Sequence, residues 1–346
     1  MPVVTLKWRD DGLDIIDQRL LPLLEKRVIL TSVAQVCEAI ETLAVRGAPA
    51  IGVAAAYGVV ISAREKPQEA HVRSAIRRLR ETRPTAVNLF IALDCMESSV
   101  EEAFASGDPV KVLLARAHAL FDEDQRICRE LSRHGAELLS DGDTVLTHCN
   151  AGGLATTGYG TALGVIYAAA EQGKRIRVFA DETRPLLQGA RLTAWELRKN
   201  GIPVTVICDS MAADVLRRRW IDHIIVGADR IAANGDTANK IGTYGLSVLA
   251  REHDVPLYVA APLTSFDFSM ASGETIPIEE RRESEISKFA GVQVTPEGVS
   301  FYNPSFDVTP ARNIAAIISE LGVARPPFTP TLSLWNVLRG NPRISA

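Results

Sequence analysis

Four residues able to do proton or thiol chemistry stand where short apolar runs end: Cys149, Asp181, Asp209 and Asp229. Thr144–Leu146 runs into Thr147-His148-Cys149-Asn150, and Ile176–Phe179 into Ala180-Asp181-Glu182-Thr183-Arg184. Val204–Ile207 runs into Cys208-Asp209-Ser210, and His223–Val226 into Gly227-Ala228-Asp229-Arg230. A fifth run, Leu257–Val259, ends in Ala260-Ala261-Pro262. A carboxyl partly desolvated at a strand end can hold a proton near neutrality and act as a general acid. A thiol facing backbone N–H groups at a helix start is drawn toward thiolate. Helical segments separate the runs, the pattern of βαβ units in a parallel sheet, and ligands of such sheets bind at the carboxyl ends of the strands.

Each motif around these residues carries a functional and a plain structural reading. Thr147–Thr156 is a strand end, a glycine-rich loop and a helix, so Cys149 is either a reactive thiol or an inert small apolar residue. His148 is expected to point the opposite way across the pleat, in a structural role. No GxGxxG follows this strand, and Gly158, Gly160 and Gly164 are expected inside the next helix as packing residues. Asp181–Arg191 gathers two carboxylates, Arg184, Arg191 and Gln188 into one strand-to-helix connection. There Asp181 either binds a ribose, as in dinucleotide folds, or the segment is structural, with Asp181 or Thr183 capping a helix and Arg191 solvated.

Gly227–Gly245 is the most informative stretch. Asp229 ends an apolar strand as a partly buried acid, or else caps its own loop. A polar loop is then expected to deliver Asn239 and Lys240 beside a helix start, where N–H groups and a cation suit a phosphate. In Arg46–Gly52, backbone N–H groups at a helix start together with Arg46 suit an anion, unless the segment is only a tight turn with a surface arginine.

The elements that must position these residues follow from periodicity. Apolar residues at Val33, Val36, Ile40 and Leu43 mark a helix, with Gly47 ending it and Pro49 opening another through the alanine-rich Ala50–Ala63. Lys66–Arg83 reads as a charged amphipathic helix stopped by Pro84, and a long helical pattern runs from Val110 to Leu139. The expectation is an α/β chain, with a smaller, mostly helical N-terminal domain over 1–125 and a parallel-sheet domain over 126–346. Three prolines between Pro326 and Pro330, and another at Pro342, suggest a C-terminal tail laid over the surface or flexible.

At 346 residues the chain is long for one core. A hydrophobic content of 47%, a charged content of 23% and a net charge of −4 describe a globular protein with no general affinity for nucleic acid or anionic membrane. Residues 51–63 are too few to span a bilayer, and the N-terminus has no signal-peptide pattern. Five cysteines, an odd number without CxxC, suggest reduced thiols and a cytoplasmic location. Six histidines without ligand spacing suggest no structural metal.

Taken together the segments are more specific than any one of them. They read RGAPAIG at 46–52, RPTAVNL at 83–89, THCNAGGLAT at 147–156, DETRPLLQGARLTAWEL at 181–197 and GADRIAANGDTANKIGTYGLSVLA at 227–250. IPIEER at 276–281 and NPSFDVTP at 303–310 complete the set. In this order, over nearly the whole chain, they resemble the methylthioribose-1-phosphate isomerase family of methionine salvage. That family is related to ribose-1,5-bisphosphate isomerase and to regulatory subunits of the translation-initiation guanine-nucleotide exchange factor. The resemblance implies a Rossmann-like C-terminal domain, a helical N-terminal domain and a homodimer acting on a small sugar phosphate without cofactor, nucleic acid or membrane. It implies Asp229 as catalytic acid, Cys149 as second catalytic group, and Arg46, Gly47, Ala48, Arg83, Gln188, Asn239 and Lys240 as substrate contacts. The chain departs mildly where Ile91-Ala92 replaces the family's frequent Trp-Ala pair.

The implied chemistry opens a sugar ring locked by a phosphate on its anomeric oxygen, then moves hydrogen from C2 to C1. Either a phosphoenolate or a direct hydride shift accomplishes this. Substrates carrying 5-deoxy or 5-phosphate groups remain alternatives to the methylthio sugar. A nicotinamide dehydrogenase would use the same sheet but needs the missing GxGxxG, and a non-catalytic translation regulator would dispense with the Cys–Asp pair.

Overall fold

A computed structural model describes residues 3–10, 12–83 and 86–339. Pro84, expected to stop a helix, Thr85 of the RPTAVNL motif and Pro342 lie outside the described residues. The chain forms two compact units, Met1–Arg133 with Ala151–Ala168, and His134–Asn150 with Ala169–Ala346.

The first unit opens with an antiparallel meander of β1 (Leu6–Arg9), β2 (Gly12–Ile16) and β3 (Arg27–Leu30), which the sequence reading did not anticipate. Every residue of β2 is buried, so the run lacks the alternation that announces a half-exposed strand. Asp14 within it is neutralised by Arg9 and Arg27, as a buried carboxylate must be. Six helices follow: α1 (Val33–Glu41), α2 (Ala48–Glu65), α3 (Glu69–Arg80), α4 (Val87–Ser98), α5 (Val100–Ala105) and α6 (Pro109–Ala136). Ser32 and Gln35 form a reciprocal capping box at the start of α1. Buried from Ala50 to Ala63, α2 is the axis of this core, and a helix apolar on all sides belongs there. Among the described residues no helix is long and apolar enough to cross a membrane.

Gly47 begins α2 rather than ending α1, which stops at Glu41. Gly158 and Gly160 also depart from expectation: they precede α7 (Ala162–Glu171), and only Gly164 lies within it. Gly160 pairs with Gly152 across a bridge, a backbone contact that a helix would not allow. Part-buried Asp124 accepts the Thr157 N–H at 2.8 Å and its hydroxyl at 2.6 Å, which holds this loop.

In the second unit the five expected strands form at nearly the expected limits: β4 (Thr144–Thr147), β5 (Arg177–Asp181), β6 (Val204–Ile207), β7 (His223–Val226) and β10 (Leu257–Ala260). With β15 (Ala316–Ser319) and β16 (Gly322–Ala324) they make a seven-stranded sheet ordered β16-β15-β10-β7-β4-β5-β6. All neighbours are parallel except β15 and β16. Helices α8 (Ala194–Lys199), α9 (Ala212–Arg217) and α10 (Thr243–Glu252) lie along the crossovers. A second sheet, ordered β11-β8-β9-β14, contains β8 (Arg230–Ala232), β9 (Thr237–Lys240), β11 (Phe266–Asp267) and β14 (Phe306–Thr309). Short α11 (Ser284–Ser287) precedes a hairpin of β12 (Lys288–Phe289) and β13 (Val292–Gln293).

The expected C-terminal tail is instead the helix α12 (Phe328–Arg339). Phe328, Leu332 and Trp335 recur at helical spacing and bury into the core of the second unit, with the Trp335 ring edge-on to Phe266. The cluster of prolines before and at its start drew the sequence reading toward a tail, although proline is tolerated in a first helical turn.

Candidate active site

The six parallel strands run in the order β6-β5-β4-β7-β10-β15, so the chain builds outward from β4 in one direction and then returns to its other side at β7. This is the doubly wound order, and its reversal between β4 and β7 opens the crevice where such sheets bind ligands. Cys149 follows the carboxyl end of β4, and Asp229 follows that of β7, the strand hydrogen-bonded to it.

Cys149 is held in an unusual conformation. Its φ is 65°, the left-handed region that a non-glycine residue adopts at a cost of about 1–3 kcal/mol. Its N–H donates to Thr183 Oγ1 at 2.8 Å, and its carbonyl accepts the Thr193 hydroxyl at 2.6 Å. Thr183 is itself left-handed at 64° and donates its hydroxyl to the Asp181 carbonyl. Buried Asn150 braces the next position through Thr193 and Glu196. The backbone at Cys149 is therefore fixed from both sides, and the residue stays part-exposed.

Behind it lies His148, buried as expected of a structural residue. Its Nδ1 meets Asp181 Oδ2 at 3.0 Å and its Nε2 donates to the Ile241 carbonyl at 2.8 Å. Burial opposes charge on His148, but the Asp181 carboxylate outweighs it and holds the imidazole above its ordinary pKa. Burial raises the Asp181 carboxyl, with His148 working against the rise. Asp209 accepts the N–H groups of Thr183 and Arg184, each at 2.7 Å, and so pins the turn after β5. His148, Asp181 and Asp209 each bring a ligand atom within 4.8 Å of the others. Metal binding there would have to displace hydrogen bonds that already engage both His148 nitrogens and both Asp209 oxygens.

Gln188 precedes a π-helical turn, Gly189–Thr193, of the kind frequent at functional sites. Its buried Oε1 has no hydrogen-bond partner among the described residues. Asp229 is exposed where the sequence reading expected partial burial, and its N–H donates to the Ala238 carbonyl at 2.9 Å. Asn239 and Lys240 lie on β9 rather than in a loop. Asn239 is buried and donates to Thr243, while Lys240 Nζ sits 4.9 Å from the centre of the Phe306 ring.

The N-terminus of α10 is already occupied by a carboxylate. Asp307 accepts the N–H groups of Gly242 at 2.8 Å and Tyr244 at 2.9 Å. Burial pushes the Asp307 carboxyl up, against the pull of those two donors. A phosphate near Lys240 would thus rely on side chains rather than on this helix end. Thr193 and Asp307 escaped the sequence reading because a hydroxyl that binds backbone, and a carboxylate sixty-odd residues from the helix it caps, leave no local pattern. Thr183, weighed there only as a helix cap, braces Cys149 instead.

In the first unit, Arg46 and Ala48 are part-buried on either side of Gly47, whose φ of 94° and close approach to the Ala155 backbone require glycine. Arg83 is part-buried beyond the end of α3. The structure describes these residues within their own unit, separately from Cys149, Gln188, Asp229, Asn239 and Lys240.

The model of the initiation factor 2 subunit family matches residues 44–326. A 5-deoxyribose 1-phosphate isomerase of Moorella thermoacetica is 52% identical over 99% of this chain and 99% of its own length. A methylthioribose-1-phosphate isomerase of Pelotomaculum thermopropionicum is 54% identical over 95% of this chain and 93% of its own. A solved 5-methylthioribose 1-phosphate isomerase from Pyrococcus horikoshii OT3 is similar at a TM-score of 0.90 and 44% identity, over 96% of each chain. The chain belongs to the methylthioribose-1-phosphate isomerase family, within the wider initiation factor 2 subunit family.

Proposed function

We propose that the chain converts S-methyl-5-thio-α-D-ribose 1-phosphate to S-methyl-5-thio-D-ribulose 1-phosphate, an aldose–ketose isomerisation of methionine salvage. The observation that carries this reading is the placement of Cys149 and Asp229 after adjacent parallel strands, on either side of the point where strand order reverses. Identity with named isomerases over nearly the whole chain supports it.

In this reading protonated Asp229 delivers its proton to the ring oxygen as the bond from C1 to that oxygen breaks. The C2 hydroxyl gives up its proton as the ketone forms, and the carboxylate recovers it. Hydrogen on C2 moves to C1 by one of two routes. Cys149 relays it as a proton through a phosphoenolate, or stabilises charge while a hydride shifts directly. Exposed Asp229 would gain the desolvation a general acid needs from bound sugar. Arg46, Gly47, Ala48, Arg83, Gln188, Asn239 and Lys240 hold the substrate, the cations acting on its phosphate. Running the reaction in deuterium oxide separates the routes: deuterium at C1 marks the proton relay and its absence the hydride shift.

The Moorella relative favours a second reading, in which 5-deoxyribose 1-phosphate is the substrate. Both sugars present a small apolar group at C5, whereas ribose 1,5-bisphosphate presents a second phosphate. Comparing kcat/KM for the three compounds tests the proposal. The methylthio sugar is expected to lead. A higher value for the deoxy sugar selects the second reading, and no turnover of any of them removes both. The same proposal includes a homodimer and a cytoplasmic location. The five cysteines, none in a disulfide, support the location, and light scattering and cell fractionation check the two.

A further inference from the structure

We propose that His148 is a positioning residue that ties the segment presenting Cys149 to the segment presenting Asn239 and Lys240. It rests on the isomerase reading for its catalytic meaning, but its geometry stands alone. His148 immediately precedes Cys149, and its Nε2 reaches the carbonyl of Ile241, the residue after Lys240, at 2.8 Å. Its Nδ1 reaches Asp181 at the end of β5 at 3.0 Å. One buried ring thus fastens three chain segments at the carboxyl edge of the sheet.

A backbone carbonyl only accepts, so the contact with Ile241 requires hydrogen on Nε2. At Nδ1 the Asp181 carboxyl is the partner, and its charge holds the imidazole above its ordinary pKa. Three carboxylates act on it from different elements: Asp181 on β5, Asp209 after β6 and Asp307 on β14. Glu182 adds negative charge beside Asp181. Gly242, at φ 105°, packs closely against the ring, since a Cβ there would lie 2.9 Å from Cε1 and 3.0 Å from Nε2. The turn between β9 and α10 is therefore shaped around this imidazole, and a displacement of His148 moves both Cys149 and Lys240.

The decisive measurement is the alkylation rate of Cys149 by iodoacetamide across pH, followed by mass spectrometry in wild type, His148→Ala and Asp181→Asn. It uses no substrate, so it reports on His148 even if the sugar phosphates are not turned over. His148→Ala is expected to change the Cys149 rate at least about tenfold and to lower kcat about a hundredfold, as misplacement by an ångström does. Asp181→Asn is expected to stay within about threefold in both, because its amide can donate to Nδ1 while Nε2 still bonds Ile241. Identical alkylation profiles in wild type and His148→Ala overturn the proposal. So does an Asp181→Asn enzyme as impaired as His148→Ala. Should His148→Ala fail to fold, nitrogen NMR of the wild-type ring decides: hydrogen on Nε2 from pH 6 to pH 8 is expected, and a His148 lacking it overturns the proposal.

Discussion

Thr183 and Cys149 lock one another into left-handed backbone, with φ of 64° and 65° and the Cys149 N–H donating to Thr183 Oγ1 at 2.8 Å. Thr183 is fully buried, so no water can replace its hydroxyl. Thr183→Val keeps the shape and removes the acceptor. Stability should fall by about 1–3 kcal/mol, the cost of orphaning a buried donor. Urea denaturation measures that loss, and retention of wild-type stability would show that Thr193 alone holds Cys149.

Asp229→Asn should leave a folded chain that binds sugar phosphate and loses roughly 10²–10⁴-fold in kcat, the usual contribution of a general acid–base group. Exposure of the side chain makes a folding defect an unsuitable explanation for such a loss. Steady-state kinetics on purified protein is the check. A kcat within about threefold of wild type would return Asp229 to a loop-capping role.

Much of this arrangement was readable from residue order, and the reason is local. Apolar runs at 144–147, 204–207 and 223–226 are short, β-branched and closed by polar residues, so each strand announces itself. The rim followed from the strands. What stayed hidden depends on distant partners. Asn239 and Lys240 form a strand because β14 pairs with it, Asn239 opposite Asp307 and Lys240 opposite Phe306. Nothing near residue 239 reveals that pairing. The amphipathic stripe of α12 was present in the sequence, but prolines at its start obscured it.

Acid should weaken the second unit through Asp236. Burial works to raise its pKa, but N–H groups of Gly273 and Ala311 and the Asn234 amide overcome this and hold it below the ordinary value. A carboxyl depressed in the folded state stabilises above its unfolded pKa of about 3.9, and the contribution disappears as pH falls through the folded value. Thermal melts of wild type and Asp236→Asn should therefore differ most at pH 7 and converge toward pH 2. A gap independent of pH would show that the carboxylate's charge contributes nothing.

Gly47→Ala should be severe although the side chain gained is one carbon. At φ 94° its Cβ would lie 2.3 Å from the Ala155 carbonyl oxygen and 2.4 Å from the Ala155 Cα. Backbone strain alone costs about 1–3 kcal/mol, and the overlap forces the 151–156 loop to shift as well. A lowered melting temperature with reduced isomerase activity is expected. Unchanged activity and stability would show that the turn yields easily.

Lys240 and Arg46 should act mainly on substrate affinity. Lys240 lies over the Phe306 ring, an arrangement that orients the ammonium without neutralising it. With Asp307 already filling the α10 N-terminus, a phosphate near β9 has the Lys240 side chain as its cation there. Removing one charge-assisted contact costs about 1.5–3 kcal/mol, equivalent to a rise in KM of roughly tenfold to hundredfold. Lys240→Ala and Arg46→Ala should each show that rise with a smaller change in kcat. Inhibition by inorganic phosphate should weaken in parallel, because the anion would use the same cations. Phe306→Leu separates the ammonium's charge from its orientation: it should raise KM by only a few fold, since the charge remains. Wild-type KM and unchanged phosphate inhibition in both alanine variants would show that neither cation holds the substrate phosphate.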